Sequence, residues 1–320
     1  MTISLEAKNK QEIEKQLKST SIDWDAVVKV STAHYVFPAM YCNLKLADFL
    51  KYLPQELVSY MEHITDINRE RNKKIVTQAK DLNSLLLANN ITSIFLKGTG
   101  NLLAGIYKDI GERMVGDIDF IFSKQDYPKA ITVLTDNGYS CERNYKYHCP
   151  TNRHYHRLQK ENNVAAIEIH SALLDIKKNT KEFNYSFVEK DSQVIKGVTV
   201  LSYANKLNLS IIANQINDSG FYYKTMALRN AYDVFLLSKK INAKDSVNAL
   251  DKLTNPLNYF LAACYEVFNK VESLEYNNTK KVASYLNVFN SQFTNPKTTK
   301  RRNKRIKKYL FIKSRLNVLY

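Results

Sequence analysis

Two aspartates in the segment GDIDFIFS (116–123) have the spacing of a paired carboxylate site. Side chains alternate along a β-strand, so Asp117 and Asp119 share one face while Ile118 and Phe120 point to the other. Carboxylates this close can share divalent cations about 3.5–4 Å apart, a pair that activates an attacking oxygen and stabilises a leaving group. The alternation therefore predicts a metal site on the charged face of a strand. An isolated D-x-D could equally be the wet face of an edge strand.

A third acid completes such a site, and Glu168 is the best candidate because it interrupts the apolar segment VAAIEIH (164–170). With HYHRLQ (154–159) this segment predicts an antiparallel hairpin. Ala166, Glu168 and His170 then share a face. We expect Glu168 to bind metal and to accept a proton from the hydroxyl group whose oxygen attacks. His170 either orients that carboxylate or is a satisfied core histidine.

The segment before the aspartates has the pattern of a phosphate site. ITSIFLKG (91–98) predicts a short buried strand that ends at a glycine, and a helix follows at once. Small residues allow close approach of a ligand, and a helix N-terminus offers free N–H groups to anionic oxygens. Lys97, Gly98 and Thr99 are therefore predicted to contact phosphates, although Lys97 could simply extend from a strand end. Arg113 either neutralises the aspartates or binds a phosphate, unless it is a solvated loop residue.

The surrounding elements predict an α+β fold. Apolar residues at three- and four-residue steps indicate a long amphipathic helix over 55–89, and a helix over 127–137 should end at Gly138. After Ser202 the pattern becomes helical. We divide the chain into an N-terminal helical segment (1–54), a catalytic domain (55–202), a helical domain (203–295) that closes the cleft, and a basic tail (296–320).

Composition places the chain among globular proteins, and the charge is unevenly distributed. The 320 residues carry 47 Lys+Arg and 31 Asp+Glu, and twelve basic residues but no acidic ones lie between Tyr276 and Tyr320. The basic tail is interpreted either as a solvated, partly disordered segment or as an electrostatic arm for an anionic membrane surface or RNA. Four cysteines without CxxC spacing, no leader and no long apolar run favour a cytoplasmic protein, peripheral at the inner membrane face if the arm binds lipid.

Taken together, the order of these motifs over about residues 55–240 resembles the uncharacterised bacterial nucleotidyltransferases of the DNA polymerase β superfamily. The residues that carry the resemblance are Lys97-Gly98, Arg113, Asp117-Ile118-Asp119, His154-Tyr155-His156, Glu168-Ile169-His170, and Arg229 with Asp233.

The resemblance implies a mixed sheet flanked by helices, followed by a helical C-terminal domain. It also implies Mg²⁺ or Mn²⁺ held by Asp117, Asp119 and Glu168, and transfer of a nucleoside monophosphate from a nucleoside triphosphate such as ATP. The acceptor would be a hydroxyl or phosphate, with a role in polysaccharide or natural-product biosynthesis. Two alternatives stay open: a toxin-like transferase acting on RNA, and a non-catalytic regulator that binds a nucleotide on the same fold.

Overall fold

A computed structural model describes residues 1–19, 21–141, 153–174 and 182–316 of the chain. Fourteen α-helices lie in these ranges: α1 (Ala7–Ser19), α2 (Trp24–Ala33), α3 (Phe37–Leu46), α4 (Gln55–Ala88), α5 (Lys97–Leu103), α6 (Asp126–Asp136), α7 (Tyr185–Glu189), α8 (Tyr203–Ile212), α9 (Gly220–Tyr223), α10 (Leu228–Ser238), α11 (Ala243–Asn248), α12 (Thr254–Val267), α13 (Lys280–Thr294) and α14 (Pro296–Leu316). A π-helical turn, Ala213–Asn217, extends α8.

Seven short strands form one mixed sheet among the described residues. They are β1 (Ile94–Phe95), β2 (Ile118–Ile121), β3 (Ser140–Cys141), β4 (Leu158–Gln159), β5 (Ile167–His170), β6 (Gln193–Ile195) and β7 (Val198–Val200), in the order β3-β4-β5-β2-β1-β7-β6. β2 is parallel to β5 and β1 to β7, whereas the other neighbouring pairs are antiparallel. The expected α+β fold with a mixed sheet and a helical C-terminal region is confirmed.

The register of the two central strands brings the predicted acids together. Asp119 on β2 lies directly opposite Glu168 on β5. Side chains that face each other across adjacent strands point to the same side of the sheet. Ile118 and Phe120 are completely buried on the other side. The period-two alternation in both segments, together with the β4–β5 pairing, confirms the predicted strand and hairpin.

Helix α4 is the long helix expected from the apolar periodicity, and it packs against α3 and α5. Its apolar face contributes Ile75, Ala79, Leu82 and Leu86 to the main core. A smaller cluster joins α4 to the N-terminal segment, where Met61 is fully buried with the aromatic residues of α3.

The helix predicted to follow the glycine turn is present but short. α5 ends at Leu103, and Gly105 adopts a positive φ of 64°, a conformation that favours glycine and ends the helix. The chain from Ile106 to Gly116 is instead an irregular loop.

The basic segment begins a helix rather than an unstructured tail. Over α14, the residues Thr299, Arg302, Asn303, Ile306, Leu310 and Lys313 are partly buried and recur at helical spacing. Arg302 donates to the Tyr223 carbonyl at 2.8 Å, which attaches this face to α9. The other basic side chains between Lys297 and Lys308 are exposed to solvent.

The proposed division into four domains stays a prediction. Contacts join the regions that it separates, and those between the catalytic and helical parts involve buried polar groups. Among the described helices, none combines the length and apolar character that crossing a bilayer requires.

Candidate active site

The predicted residues converge on one cleft of about 300 Å³ between the sheet and the helices that follow Ser202. Its walls include the predicted site residues Lys97, Gly98, Arg113, Asp117, Asp119 and Glu168. The other two, Thr99 and His170, are buried directly behind it. The eight residues are thus spatial neighbours, as expected from their order in the sequence, but their individual contacts differ from those expected.

Three of these side chains form a compact acid–imidazole cluster. Ligand atoms of Asp119, Glu168 and His170 all lie within 4.8 Å of one another. His170 Nε2 is 2.9 Å from Asp119 Oδ1 and 3.6 Å from Glu168 Oε2. The Lys97 ammonium lies between the same two carboxylates, 2.5 Å from Asp119 and 3.6 Å from Glu168. A cation therefore already bridges the carboxylates where the sequence predicts a metal.

Lys97 and His170 keep the two carboxylates of this cluster ionised. Burial alone would raise the pKa of Asp119, but Lys97 and His170 outweigh it and hold that pKa well below its usual range. Burial opposes ionisation of Glu168 as well, and the hydrogen bond with His170 leaves its pKa lowered. Both carboxylates are therefore anionic at neutral pH and available as ligands for a hard cation.

Asp117 has a different environment from Asp119. Its carboxylate binds Arg157 at 2.5 Å, a residue that is more than half exposed. Burial raises the pKa of Asp117 in spite of this contact, and the charges of Glu168 and Asp119 add to the effect. Arg157 was not among the residues predicted for the site. The signal that could have identified it is its position in HYHRLQ, the segment that forms a hairpin with the strand of Glu168.

The glycine turn is fixed against strand β2. The Leu96 N–H donates to the Asp119 carbonyl at 2.8 Å, and the Thr99 hydroxyl donates to the Asp117 carbonyl at 2.9 Å. Lys97 has a positive φ of 47°, an unusual conformation for a residue with a Cβ. These contacts hold the turn beside the carboxylates, and they occupy the Thr99 hydroxyl.

A side chain at Gly98 would change the cleft wall. A Cβ built there would lie 3.0 Å from Val115 Cγ2 and 3.7 Å from Arg113 Cζ. The neighbouring Gly100 is needed for packing, because a Cβ there would lie only 2.6 Å from the Phe95 carbonyl oxygen. Of the two glycines, Gly98 is the one that borders the cleft.

Arg113 forms a buried ion pair with Asp233 of α10. Its Nε lies 3.0 Å and 3.1 Å from the two Asp233 oxygens, its Nη2 lies 2.9 Å from one of them, and its Nη1 donates to the Met114 carbonyl at 2.7 Å. The Tyr107 hydroxyl donates to the same carboxylate at 2.7 Å. Phosphate binding by Arg113 stays a prediction, whereas in this structure all three guanidinium nitrogens are used within the protein.

Polar side chains of α4 position the loop that carries Arg113. Asn68 and Asn72 are buried and donate to carbonyls of this loop, and both reach the Arg113 carbonyl, at 3.1 Å and 2.7 Å. Arg71 donates to the carbonyls of Val115 and Gly116. The sequence signal for this role was the recurrence of asparagine within the apolar stripe of a predicted helix.

A second buried chain of hydrogen bonds joins the N-terminal segment to the same loop. Asn43 of α3 donates to the Tyr232 hydroxyl at 2.9 Å, and that hydroxyl donates to Glu112 at 2.7 Å. Tyr232 and Asp233 are neighbours on α10, so this helix holds the loop through two successive side chains.

Comparison with known protein families agrees with the geometry of the cleft. The chain has an acid cluster on paired strands of a mixed sheet, beside a glycine turn. The sequence model of the family described as uncharacterised nucleotidyltransferases matches residues 20–269, and the chain belongs to this family. The resemblance inferred from the motifs is thereby confirmed.

Solved structures and curated proteins add little to this assignment. JHP933 from Helicobacter pylori is 15% identical, with 79% of this chain and 97% of that chain covered and a TM-score of 0.33. A candidate nucleotidyltransferase from H. pylori is 13% identical, with 76% and 96% covered and a TM-score of 0.32. Neither score is high enough to inform the site. No curated protein matches the chain.

Proposed function

We propose that the protein is a metal-dependent nucleotidyltransferase that moves a nucleoside monophosphate from a nucleoside triphosphate to a hydroxyl or phosphate acceptor. Family membership supports the general activity. The observation that supports the metal dependence is the cluster of Asp119, Glu168 and His170, with the Lys97 ammonium bridging its two carboxylates.

The residues fit a divalent cation of the Mg²⁺ or Mn²⁺ type. Carboxylate oxygens are the ligands that such ions prefer. A bridging ammonium marks a position where positive charge is stable. Asp119 and Glu168 would hold the ion, Asp117 lies in the same cleft to complete the set, and His170 orients Asp119. Such an ion, when bound, activates the attacking oxygen and neutralises charge on the leaving pyrophosphate.

The chain's own groups would then divide the remaining tasks. Gly98 leaves room for the phosphates beside the start of α5. Lys97 is the residue before Gly98, and its ammonium would bind a phosphate once it is displaced from the carboxylates by the metal ion. A carboxylate must also accept the proton of the acceptor hydroxyl. Glu168, which borders the cleft, is the carboxylate proposed for this role.

Two other functions were open from the sequence, and the acid cluster bears on one of them. A non-catalytic regulator has no need of ionised carboxylates in the nucleotide cleft, so the cluster favours an enzyme. A toxin-like enzyme acting on RNA and an enzyme of polysaccharide or natural-product biosynthesis would share the same cluster. These two differ in the acceptor.

Transfer of label decides the reaction type. The protein is incubated with Mg²⁺, fractions of a cell extract and each of the four nucleoside triphosphates, labelled at either the α- or the γ-phosphate. Nucleotidyl transfer puts only α-label into an acceptor, which is then identified as protein, RNA, glycan or small molecule. Asp119→Asn should abolish transfer, whereas Asp136→Asn, at an exposed aspartate in α6, should not. Transfer of γ-label, or retained transfer by Asp119→Asn, would contradict the proposal.

The exposed face of α14 is proposed to bind an anionic partner. Seven basic residues are exposed along it: Lys297, Lys300, Arg301, Lys304, Arg305, Lys307 and Lys308. Basic residues contribute about 1 kcal/mol each near an acidic membrane, and contacts with RNA phosphates are similarly salt-dependent. Peripheral location at the inner membrane face, in a cytoplasmic protein, depends on the partner being lipid rather than RNA.

A further inference from the structure

Arg229 is a cation of the cleft that the sequence motifs left without a role. It lies in the first turn of α10, and its side chain lines the same cleft as Asp117, Asp119 and Glu168. The cleft residues that precede Ser202 supply the acid cluster and the glycine turn. Arg229 instead faces the cleft from the helical side. It forms no ion pair among the described residues.

Arg229 and Asp233 lie four residues apart on α10, a spacing that allows an ion pair, but Asp233 pairs with Arg113 instead. The Nε of Arg229 is buried and has no hydrogen-bond partner among the described residues. Burial lowers the pKa of Arg229, and the neighbouring Arg113 lowers it further. A buried donor without a partner is uncommon in native proteins and calls for a ligand or a bound anion.

The N-terminal segment holds this side chain in place. The Arg229 guanidinium lies 5.0 Å from the centre of the Tyr35 ring, a cation–π contact. The preceding residue of α10, Leu228, donates its N–H to His34 Nδ1 at 3.3 Å. Tyr35 has a positive φ of 57°, so the turn between α2 and α3 adopts an unusual backbone conformation at this contact.

We propose that Arg229 binds the polyphosphate of the nucleoside triphosphate from the α10 side of the cleft, with Tyr35 as its positioning residue. An arginine offers planar donors that match phosphate oxygens. Lys97 and Arg113 already pair with Asp119 and Asp233, whereas among the described residues the Arg229 Nε has no hydrogen-bond partner, so this donor is available to an anion that enters the cleft. This inference rests on the proposed function, because it assumes that a nucleoside triphosphate enters the cleft.

Inorganic triphosphate with Mg²⁺ tests the inference without knowledge of the base. Calorimetric titrations compare the wild-type protein, Arg229→Gln, Arg229→Lys and the matched control Arg301→Gln, which removes an exposed arginine of α14. A hydrogen bond to a charged group contributes about 1.5–3 kcal/mol, so Arg229→Gln should weaken binding at least about tenfold. Arg229→Lys should bind with intermediate affinity, and Arg301→Gln should bind like the wild type.

A second comparison tests the role of Tyr35. Tyr35→Phe keeps the ring and should leave triphosphate affinity unchanged, whereas Tyr35→Ala should weaken it without affecting binding of Mn²⁺ alone. Unchanged affinity in Arg229→Gln would overturn the inference while leaving the proposed function in place. Failure of the wild-type protein to bind triphosphate or any of the four nucleotides with Mg²⁺ would overturn both. Urea unfolding of each variant identifies any loss that comes from misfolding.

Discussion

Asp117 and Asp119 are two residues apart on one strand, yet replacing each with asparagine should change the stability of the metal-free protein in different directions. Asp119 is almost fully buried and accepts from Lys97 at 2.5 Å and from His170 at 2.9 Å. Asparagine at 119 would weaken both contacts and leave a half-buried ammonium with Glu168 as its remaining partner. Asparagine at 117 would weaken only the contact with Arg157, whose side chain is 55% exposed.

The expected magnitudes follow from burial. Hydrogen bonds to charged groups contribute about 1.5–3 kcal/mol, and separating a buried ion pair costs more than separating an exposed one. Because Lys97 is about a quarter exposed, we expect Asp119→Asn to lower the free energy of unfolding by about 1–3 kcal/mol. An exposed pair such as Asp117–Arg157 contributes at most about 1 kcal/mol, and burial disfavours the Asp117 charge. Asp117→Asn should therefore match or exceed the wild-type stability.

The pH dependence gives an independent sign. The folded-state pKa of Asp119 is lowered, so its contribution is complete above the ordinary aspartate pKa of about 3.9 and is lost as the pH falls below it. The folded-state pKa of Asp117 is raised, so the carboxylate destabilises the fold at neutral pH and this penalty disappears as the pH falls towards about 4.

Urea unfolding in EDTA, at several pH values between about 2.5 and 8, measures both effects, since the loss of the Asp119 contribution is expected only below about pH 3.9. The wild-type protein and the two asparagine variants are compared at equal ionic strength. At pH 7 we expect Asp119→Asn to be less stable than the wild type and Asp117→Asn to be at least as stable as the wild type. Equal stability of Asp119→Asn and the wild type at pH 7 would refute the assignment of Lys97 and His170 as its partners.

Three further predictions concern the rest of the cleft and α14. Arg113→Met should lower the free energy of unfolding by about 3–5 kcal/mol because it leaves Asp233 buried without a cation, whereas Arg229→Met should cost less than about 1 kcal/mol; equal costs in urea would contradict the pairing. Gly98→Val should weaken nucleotide binding in calorimetry but not Mn²⁺ binding, since a Cβ there lies 3.0 Å from Val115. Replacing four exposed basic residues of α14 with glutamine should abolish low-salt co-sedimentation with its anionic partner and spare transfer to a small acceptor. If that partner is single-stranded RNA, the logarithmic salt slope should fall by about 3. If the wild-type protein co-sediments with neither RNA nor acidic vesicles at low salt, both partners are excluded.

The positions of the acids could be predicted from the sequence because strand periodicity is local. Alternation around Asp119 and around Glu168 fixes which face each side chain occupies, and only the pairing of two strands is then needed to bring them together. The same reasoning located the glycine turn, because the end of a short apolar strand and the start of a helix are both visible in LKG.

The partners of the charged residues could not be predicted in the same way. Arg113 and Asp233 are 120 residues apart, and their pairing depends on how α10 packs against the loop. Spacing alone would instead favour an ion pair between Arg229 and Asp233, which are one turn apart on one helix. The bridging position of Lys97 depends equally on a left-handed backbone angle that a lysine rarely adopts.

Binding of Mn²⁺ tests the central claim most directly, because it needs neither the acceptor nor the correct nucleotide. Free Mn²⁺ is followed by electron paramagnetic resonance as protein is added, with and without inorganic triphosphate. The account predicts binding by the wild-type protein that is lost in Asp119→Asn and in Glu168→Gln and retained in Asp136→Asn. No binding by the wild-type protein, or equal binding by Asp119→Asn, would contradict a metal site at these carboxylates.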